Sequence, residues 1–335
     1  MRFDAVPLLA TGMLLGVGLT HESIRSRVRS GALVRVRRGW YCPGPIWSGL
    51  DGRLRHLVLA RAVSQDVADC VLGGRSAAAL WDLPVLGAGP DAVTLLTAYR
   101  GGGRSEPGVR RTTTGSVGAP IEIVGGLRTI SLPRTVVDIA AAEGFVAGVV
   151  AADAALRRGV SRSDLWMALE QRSSRHGARM VAAVIAFADA RAESPGESAA
   201  RASMYMLGFQ VPELQVCKRD EEGEMWLDFE WPSVGAGGEF DGDIKYVRPD
   251  LHQGSPERVV LREKRREDRL RRQLRTVVRI VWADLRDPVR LTRILDEAGI
   301  PRQGSPGADG PAGPSNRDVI QLAGQGAGRP GRLGT

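Results

Sequence analysis

Cysteine and histidine are scarce in this chain of 335 residues, which contains three cysteines and four histidines. Cys42, Cys70 and Cys217 are far apart and form no Cys-x-x-Cys pair. Their number and spacing argue against a disulfide framework and against a zinc knuckle. They favour a reducing compartment, so we expect a cytoplasmic protein.

Long apolar runs are also missing. No stretch reaches the roughly 18 to 20 apolar residues that a membrane span needs. Residues 6–19 are apolar and near the start, but Asp4 interrupts their flank and a basic segment follows where a cleavage site would lie. We therefore expect neither a targeting signal nor a membrane partner.

Positive charge is what the chain has in excess. Lys and Arg number 46 against 38 Asp and Glu, a formal net charge of +8. This balance favours an anionic partner such as DNA. Hydrophobic residues make up 43%, enough for packed cores in two or three domains.

Composition and periodicity divide the chain into four parts: a basic module at 1–48, an α/β middle domain at 50–190, an α/β domain at 191–300 and a disordered Gly/Pro/Ser-rich tail at 301–335. In the middle domain we expect helices at 53–63, 76–83, 135–143 and 146–158, and strands at 92–98 and 121–124. Ser161, with Asp164 three positions on, predicts another capped helix. The middle domain shows no catalytic constellation.

The basic module has the pattern of a winged helix-turn-helix. Thr20 can cap a helix from His21 to about Ser30, with Gly31 as its C-terminal stop. The alternating residues 33–38 then predict a two-stranded ribbon that ends near Tyr41. Six arginines and a single acid, Glu22, lie between His21 and Tyr41. Such a helix fits the major groove of DNA. The predicted DNA-binding residues are Arg25, Arg27, Arg29, Arg35, Arg37 and Arg38; the alternative is a solvated basic helix that binds nothing.

The domain at 191–300 concentrates acidic residues on two predicted strands. Asp228 lies on the first, and Glu239, Asp241, Asp243 and Lys245 share one face of the second. Adjacent strands would bring Asp228 beside Glu239 and Asp241, where the carboxylates repel each other unless a cation lies between them.

Hard oxygen ligands of this kind suit Mg²⁺ or Mn²⁺. The predicted metal ligands are Asp228, Glu239 and Asp241. Glu197, at the start of a preceding helix, could complete the set, and Lys245 could orient the attacking water. The alternatives are an acidic solvent-facing surface and an inherited site that no longer cuts. A very basic helix at 258–275 could follow a DNA backbone or simply cover the sheet.

The N-terminal half resembles a known family. The run GLTHESIRSRVRSGALVRVRRGWYC looks like the N-terminal domain of AbiEi-type antitoxins of type IV toxin–antitoxin systems, and GGRSAAALWDLPVL, RTISLPRTVVDIA and AADAALRRGVSRSDL look like the segment that follows it in many actinobacterial proteins. The resemblance covers about the first 170 residues. It implies a DNA-binding autorepressor, with a cognate toxin as a second partner.

The C-terminal part resembles the very-short-patch-repair branch of the PD-(D/E)XK nuclease fold, through ESPGES, LDFEWP, GEFDGDIKY and EKRREDRLRRQLRTVVRIVWADL. The resemblance implies that Asp228 and Glu239 bind the metal, with Asp241 next. Asp241 stands where the standard motif has lysine, so Lys245 would have to replace it. The predicted fold class is therefore α+β multidomain. Two functions stay open: a DNA-binding regulator with a nuclease-like domain, and a Mg²⁺-dependent endonuclease. A third, a protein that binds a toxin through the middle region, is compatible with the first.

Overall fold

The computed structural model describes residues 2–87, 89, 91–97, 107–112, 119–242, 265–266 and 268–303. The chain divides into two compact units, Met1–Ala142 with Val160–Ala178 and Glu143–Gly159 with Arg179–Thr335. Each unit contains both helices and strands, so the fold is mixed α+β, as predicted. In the described ranges, no helix combines the length and the hydropathy that crossing a membrane requires.

The helices are α1 (Thr11–Gly16), α2 (His21–Arg29), α3 (Gly44–Ser48), α4 (Gly52–Asp66), α5 (Gly74–Leu80), α6 (Leu132–Glu143), α7 (Phe145–Arg157), α8 (Arg162–Glu170), α9 (Ala178–Phe187), α10 (Pro195–Met206), α11 (Trp282–Leu285) and α12 (Pro288–Glu297). The strands are β1 (Leu9–Ala10), β2 (Leu33–Arg37), β3 (Trp40–Pro43), β4 (Val93–Leu96), β5 (Val109–Thr112), β6 (Ile121–Val124), β7 (Leu127–Ile130), β8 (Glu213–Asp220), β9 (Gly223–Trp231), β10 (Ala236–Asp241) and β11 (Thr276–Val281). Residues 268–273 are also helical.

The first unit begins with a small antiparallel sheet of order β1-β3-β2. One of its faces packs on α1 and α2 through Leu14, Ile24 and Leu33. The other face contributes Val36 and Cys42 to a cluster that includes Val58 of α4. Farther along the chain, β4 and β5 form a parallel pair and β6 and β7 an antiparallel hairpin. The sheet β1-β3-β2 is therefore held between apolar clusters on both faces, which positions its surface side chains.

The second unit is built on a four-stranded sheet of order β11-β10-β9-β8. Its strands are antiparallel except for the pair β10 and β11, which is parallel. Leu227, Phe229 and Trp231 alternate along β9 and are fully buried, which is the period-2 pattern of a strand with one face on the core. Their neighbours Trp226, Asp228 and Glu230 point to the opposite face.

Several boundaries differ from those predicted, and three of the differences have a local cause or consequence. The helix predicted at 76–83 ends at Leu80, because Asp82 takes a positive φ of 54° and the Leu83 N–H bonds to the Ala78 carbonyl, a Schellman-type stop. The pattern of residues 277–282 predicts a buried strand, but β11 ends at Val281 and Trp282 begins α11. Pro301, at the start of the predicted tail, accepts a hydrogen bond from the Gln210 N–H; residues 304–335 lie outside the described ranges.

Candidate nucleic-acid interface and acidic cluster

Helix α2 is fixed at its N-terminus by a reciprocal cap. The Ser23 N–H donates to Thr20 Oγ1 at 3.1 Å, and the Thr20 N–H donates to Ser23 Oγ at 2.9 Å. These bonds satisfy backbone donors that a helix start leaves unpaired. Ile24 anchors the opposite face in the apolar core. The helix begins after Thr20, as predicted, and turns the surface opposite Ile24 outward.

The outward surface of α2 is basic. Arg25, Arg27 and Arg29 are all exposed. Arg25 and Arg29 both reach Glu22, each with a nitrogen–oxygen distance of 3.1 Å, and their side chains keep 69% and 68% exposure. Ion pairs this exposed contribute little to stability. A phosphate can therefore replace the Glu22 carboxylate without a large loss.

The hairpin β2–β3 adds further arginines, but they differ in setting. Arg35 and Arg38 are exposed. A register shift between Arg35 and Arg37 interrupts the predicted alternation, and Arg37 lies 3.4 Å from the Asp66 carboxylate with its side chain only 16% exposed. Trp40 Nε1 donates to the same carboxylate at 3.0 Å. Arg37 thus ties the hairpin to α4, whereas Arg35 and Arg38 face solvent.

The acidic residues predicted in the C-terminal part lie in the second unit. Ser194 caps α10 by accepting the Glu197 N–H at 3.1 Å, and Pro195 occupies the first turn. The buried carboxylate of Glu197 accepts two hydrogen bonds on Oε2, from the Glu193 N–H at 2.8 Å and from Gln215 Nε2 at 2.9 Å. Glu197 is therefore already engaged by its own chain.

Strands β9 and β10 bring Asp228 and Glu239 together. Their register pairs Phe229 with Gly238, which places the next residues in each strand opposite one another. Asp228 Oδ2 accepts the Phe240 N–H at 2.7 Å. This is the juxtaposition that the alternating pattern predicted. Asp241 follows on β10 and is partly buried; Asp243 and Lys245 lie outside the described residues.

The charge state of Asp228 reflects these surroundings. Burial, together with the carboxylates of Glu197 and Glu239, raises the pKa of Asp228 from 3.8 to about 6. The Phe240 N–H and the positive charge of Arg266 act in the opposite direction. A carboxyl group beside like charges and partly out of water resists ionisation. In the cluster of Glu197, Asp228 and Glu239, hereafter the acidic cluster, Asp228 therefore ionises less readily than a free carboxyl group.

Arg266 provides the compensation that is present. Its Nη1 lies 2.6 Å from Glu239 Oε1, and its Nη2 donates to the Trp226 carbonyl at 2.7 Å. Among the described residues, no three His, Cys, Asp or Glu side chains converge closely enough to hold a metal ion. With Glu197 held by Gln215 and Glu239 by Arg266, the described carboxylates do not fit Mg²⁺ or Mn²⁺.

Sequence reasoning missed two residues of this site. Arg266 belongs to the basic helix that the sequence predicted, but nothing local indicates which arginine faces Glu239. Gln215 lies within β8 at a φ of 52°, a conformation that non-glycine residues seldom adopt. No sequence signal marks that backbone position, because Gln is not a residue type that favours it.

Two curated relatives match most of the chain. The uncharacterized proteins MT2308 and Rv2248 of Mycobacterium tuberculosis are each 31% identical to it over 293 residues, which cover 84% of this chain and 98% of the relative. No family model matches the chain.

One solved structure is a more distant match. The crystal structure of the RV2827C protein from Mycobacterium tuberculosis is 19% identical, with a TM-score of 0.37, over 58% of this chain and 75% of that one. A likeness at this level carries no argument about function. The near-complete alignment with MT2308 and Rv2248 does establish kinship: the chain belongs to the family of these two mycobacterial proteins.

Proposed function

We propose that this chain is a DNA-binding regulator of the antitoxin type, which contacts DNA through α2 and the hairpin β2–β3 as a winged helix-turn-helix. In this proposal the second unit is a nuclease-like domain that recognises or scaffolds and does not cut. DNA is the partner, and a cognate toxin is a second partner implied by the resemblance to AbiEi-type antitoxins.

The observation that carries the proposal is the basic outer surface of the N-terminal module. Of the six arginines between His21 and Tyr41, five are exposed, on a capped helix and on the hairpin that follows it: Arg25, Arg27, Arg29, Arg35 and Arg38. Glu22 is the single acid in that stretch. Guanidinium groups on a helix of this size suit phosphates and guanine edges in the major groove.

Equilibrium binding to a fluorescent DNA duplex tests the proposal. We expect the double variant Arg25→Ala/Arg29→Ala to weaken binding at least about tenfold, because two phosphate contacts are removed. Arg110→Ala is the matched control, since Arg110 belongs to the same unit, pairs with Asp91 and is 68% exposed. If Arg110→Ala loses as much affinity per charge removed as the double variant does, only net charge matters and the proposed interface is wrong.

The second candidate function is a Mg²⁺-dependent endonuclease targeted by the same DNA-binding module. The observation in its favour is the juxtaposition of Asp228 and Glu239 on neighbouring strands. Incubation of supercoiled plasmid with Mg²⁺ or Mn²⁺ separates the candidates. We expect intact plasmid with a salt-sensitive gel shift. Nicking by the unmodified protein that disappears in Glu239→Ala would make the protein an endonuclease.

A further inference from the structure

The acidic cluster raises a question that DNA binding does not answer: which cation balances its charge. Burial raises the pKa of Asp228, and the carboxylates of Glu197 and Glu239 lie close enough to raise it further. Such a group of hard oxygen ligands attracts either a divalent metal or a basic side chain. Both Glu197 and Glu239 are mostly buried, with Glu239 at 15% side-chain exposure, so bulk water screens them poorly.

The structure provides a basic side chain. The Arg266 guanidinium contacts Glu239 Oε1 through one nitrogen and the Trp226 carbonyl of β9 through another. It also lies close enough to Asp228 to lower the pKa of that residue. The planar guanidinium thus contacts both β9 and β10 at once, which the single ammonium group of a lysine would not do. Its own side chain is 31% exposed, so the contact closes the cluster from the outside.

The third carboxylate of the cluster, that of Glu197, accepts hydrogen bonds from its own chain. Glu197 Oε2 receives both the Glu193 N–H and the Gln215 amide. Gln215 reaches it from a backbone position with φ of 52°, and holding a non-glycine residue there costs free energy that surrounding contacts must offset. A carboxylate reserved for a metal would not need the Gln215 amide as a hydrogen-bond donor on its oxygen. Glu197 is therefore hydrogen-bonded by its own chain, and Glu239 is paired with the charge of Arg266.

We propose that Arg266 is the resident cation of the acidic cluster, and that its guanidinium excludes a divalent metal from the pair Asp228 and Glu239, since two carboxylates can hold such an ion when water completes its coordination. The second unit is then a nuclease-like domain whose charge balance is internal. The proposal concerns metal occupancy and is independent of DNA binding by α2, so the two can fail separately.

Direct Mn²⁺ binding to the purified full chain tests this, because the electron paramagnetic resonance signal of free Mn²⁺ counts the unbound ion. We expect Arg266→Met to bind one Mn²⁺ at least about tenfold more tightly than the unmodified protein. Adding Glu239→Gln to that variant should abolish the gain. Arg272→Met is the control, since Arg272 belongs to the same basic stretch, pairs with Glu222 and is 66% exposed; it should bind Mn²⁺ like the unmodified protein.

Two results would overturn the proposal. One is a folded Arg266→Met variant that binds Mn²⁺ no better than Arg272→Met. The other result does not require an Arg266 variant to fold. It is a rise of several degrees in the melting temperature of the unmodified protein in about 5 mM MnCl₂, together with a smaller rise for Glu239→Gln. If Mn²⁺ does not change the melting temperature of the unmodified protein, the result supports the proposal.

Discussion

Arg25 and Arg37 carry the same charge within one short module, but their surroundings give them different roles. Arg25 keeps 69% of its side chain in water beside Glu22, whereas Arg37 keeps 16% beside Asp66. A partly buried ion pair that shares its carboxylate with Trp40 holds structure together. We expect Arg25 to act on DNA and Arg37 to act on the hairpin that presents the other arginines.

Replacing Asp66 tests the structural role of Arg37. Asp66→Ala removes the acceptor of both Arg37 and Trp40 and leaves the Arg37 charge partly buried. We expect the free energy of unfolding to fall by about 1–2 kcal/mol in urea denaturation. Glu22→Ala, which breaks only exposed pairs, should change it by less than about 0.5 kcal/mol. Equal effects of the two variants would contradict the distinction.

Asp228 should make stability depend on pH. Because the folded protein raises its pKa to about 6 from 3.8, the folded state binds the proton more tightly than the unfolded state. Stability is therefore lost as the pH rises through 6. Asn cannot ionise but still accepts the Phe240 N–H, so Asp228→Asn should be more stable than the unmodified protein at pH 8.

The gain in Asp228→Asn should be about 1 kcal/mol, since Asp228 is partly exposed and solvent screens the effect. It should shrink as the pH falls from 6 towards 4. Glu197, Glu239 and Arg266 are the charged groups around Asp228 that set the size of the effect. Thermal unfolding at pH 8, 6 and 4 measures it. A variant that is less stable at pH 8 would show that Asp228 is stabilising when ionised.

At the scale of elements, local signals were sufficient where one residue defines a helix start or a face. Thr20 and Ser161 cap α2 and α8 as predicted, and β9 alternates between core and outer residues, with Asp228 on the outer face. The register shift in β2 and the positive φ of Gln215 were not predictable. Neither a bulge nor a single residue of positive φ is recorded in composition or in hydrophobic period.

The contact of Arg266 with Glu239 belongs to the same class. The two residues are separated by 26 others in the sequence, and several arginines in the basic helix are equivalent by pattern alone. The tertiary fold selects one of them. The carboxylates of the acidic cluster could therefore be predicted from the sequence, whereas the residue that balances their charge, Arg266, could not.

The cap of α2 should contribute measurably to the stability of the protein. Thr20→Ala removes the acceptor of the Ser23 N–H, and we expect the free energy of unfolding to fall by about 1 kcal/mol. Ser26→Ala, an exposed substitution within α2, should be neutral or slightly stabilising, because Ala has the higher helix propensity. Chemical denaturation compares them; a Thr20 variant as stable as the Ser26 variant would mean that the cap contributes nothing.

At the scale of the whole molecule, the net charge of +8 attracts any polyanion, so affinity for DNA by itself does not identify an interface. What distinguishes an interface is how many phosphates particular residues neutralise. Kinship with MT2308 and Rv2248 extends over both units, so the account of this chain applies to a two-unit architecture and not to an isolated module.

The most direct test of the account is the salt dependence of DNA binding. We would measure the slope of log K against log[salt] for the unmodified protein, for Arg25→Ala/Arg29→Ala and for Arg110→Ala. The double variant should flatten the slope by about two units, one per lost phosphate contact, and Arg110→Ala should leave it unchanged. An unchanged slope in the double variant would contradict the claim that α2 lies on DNA.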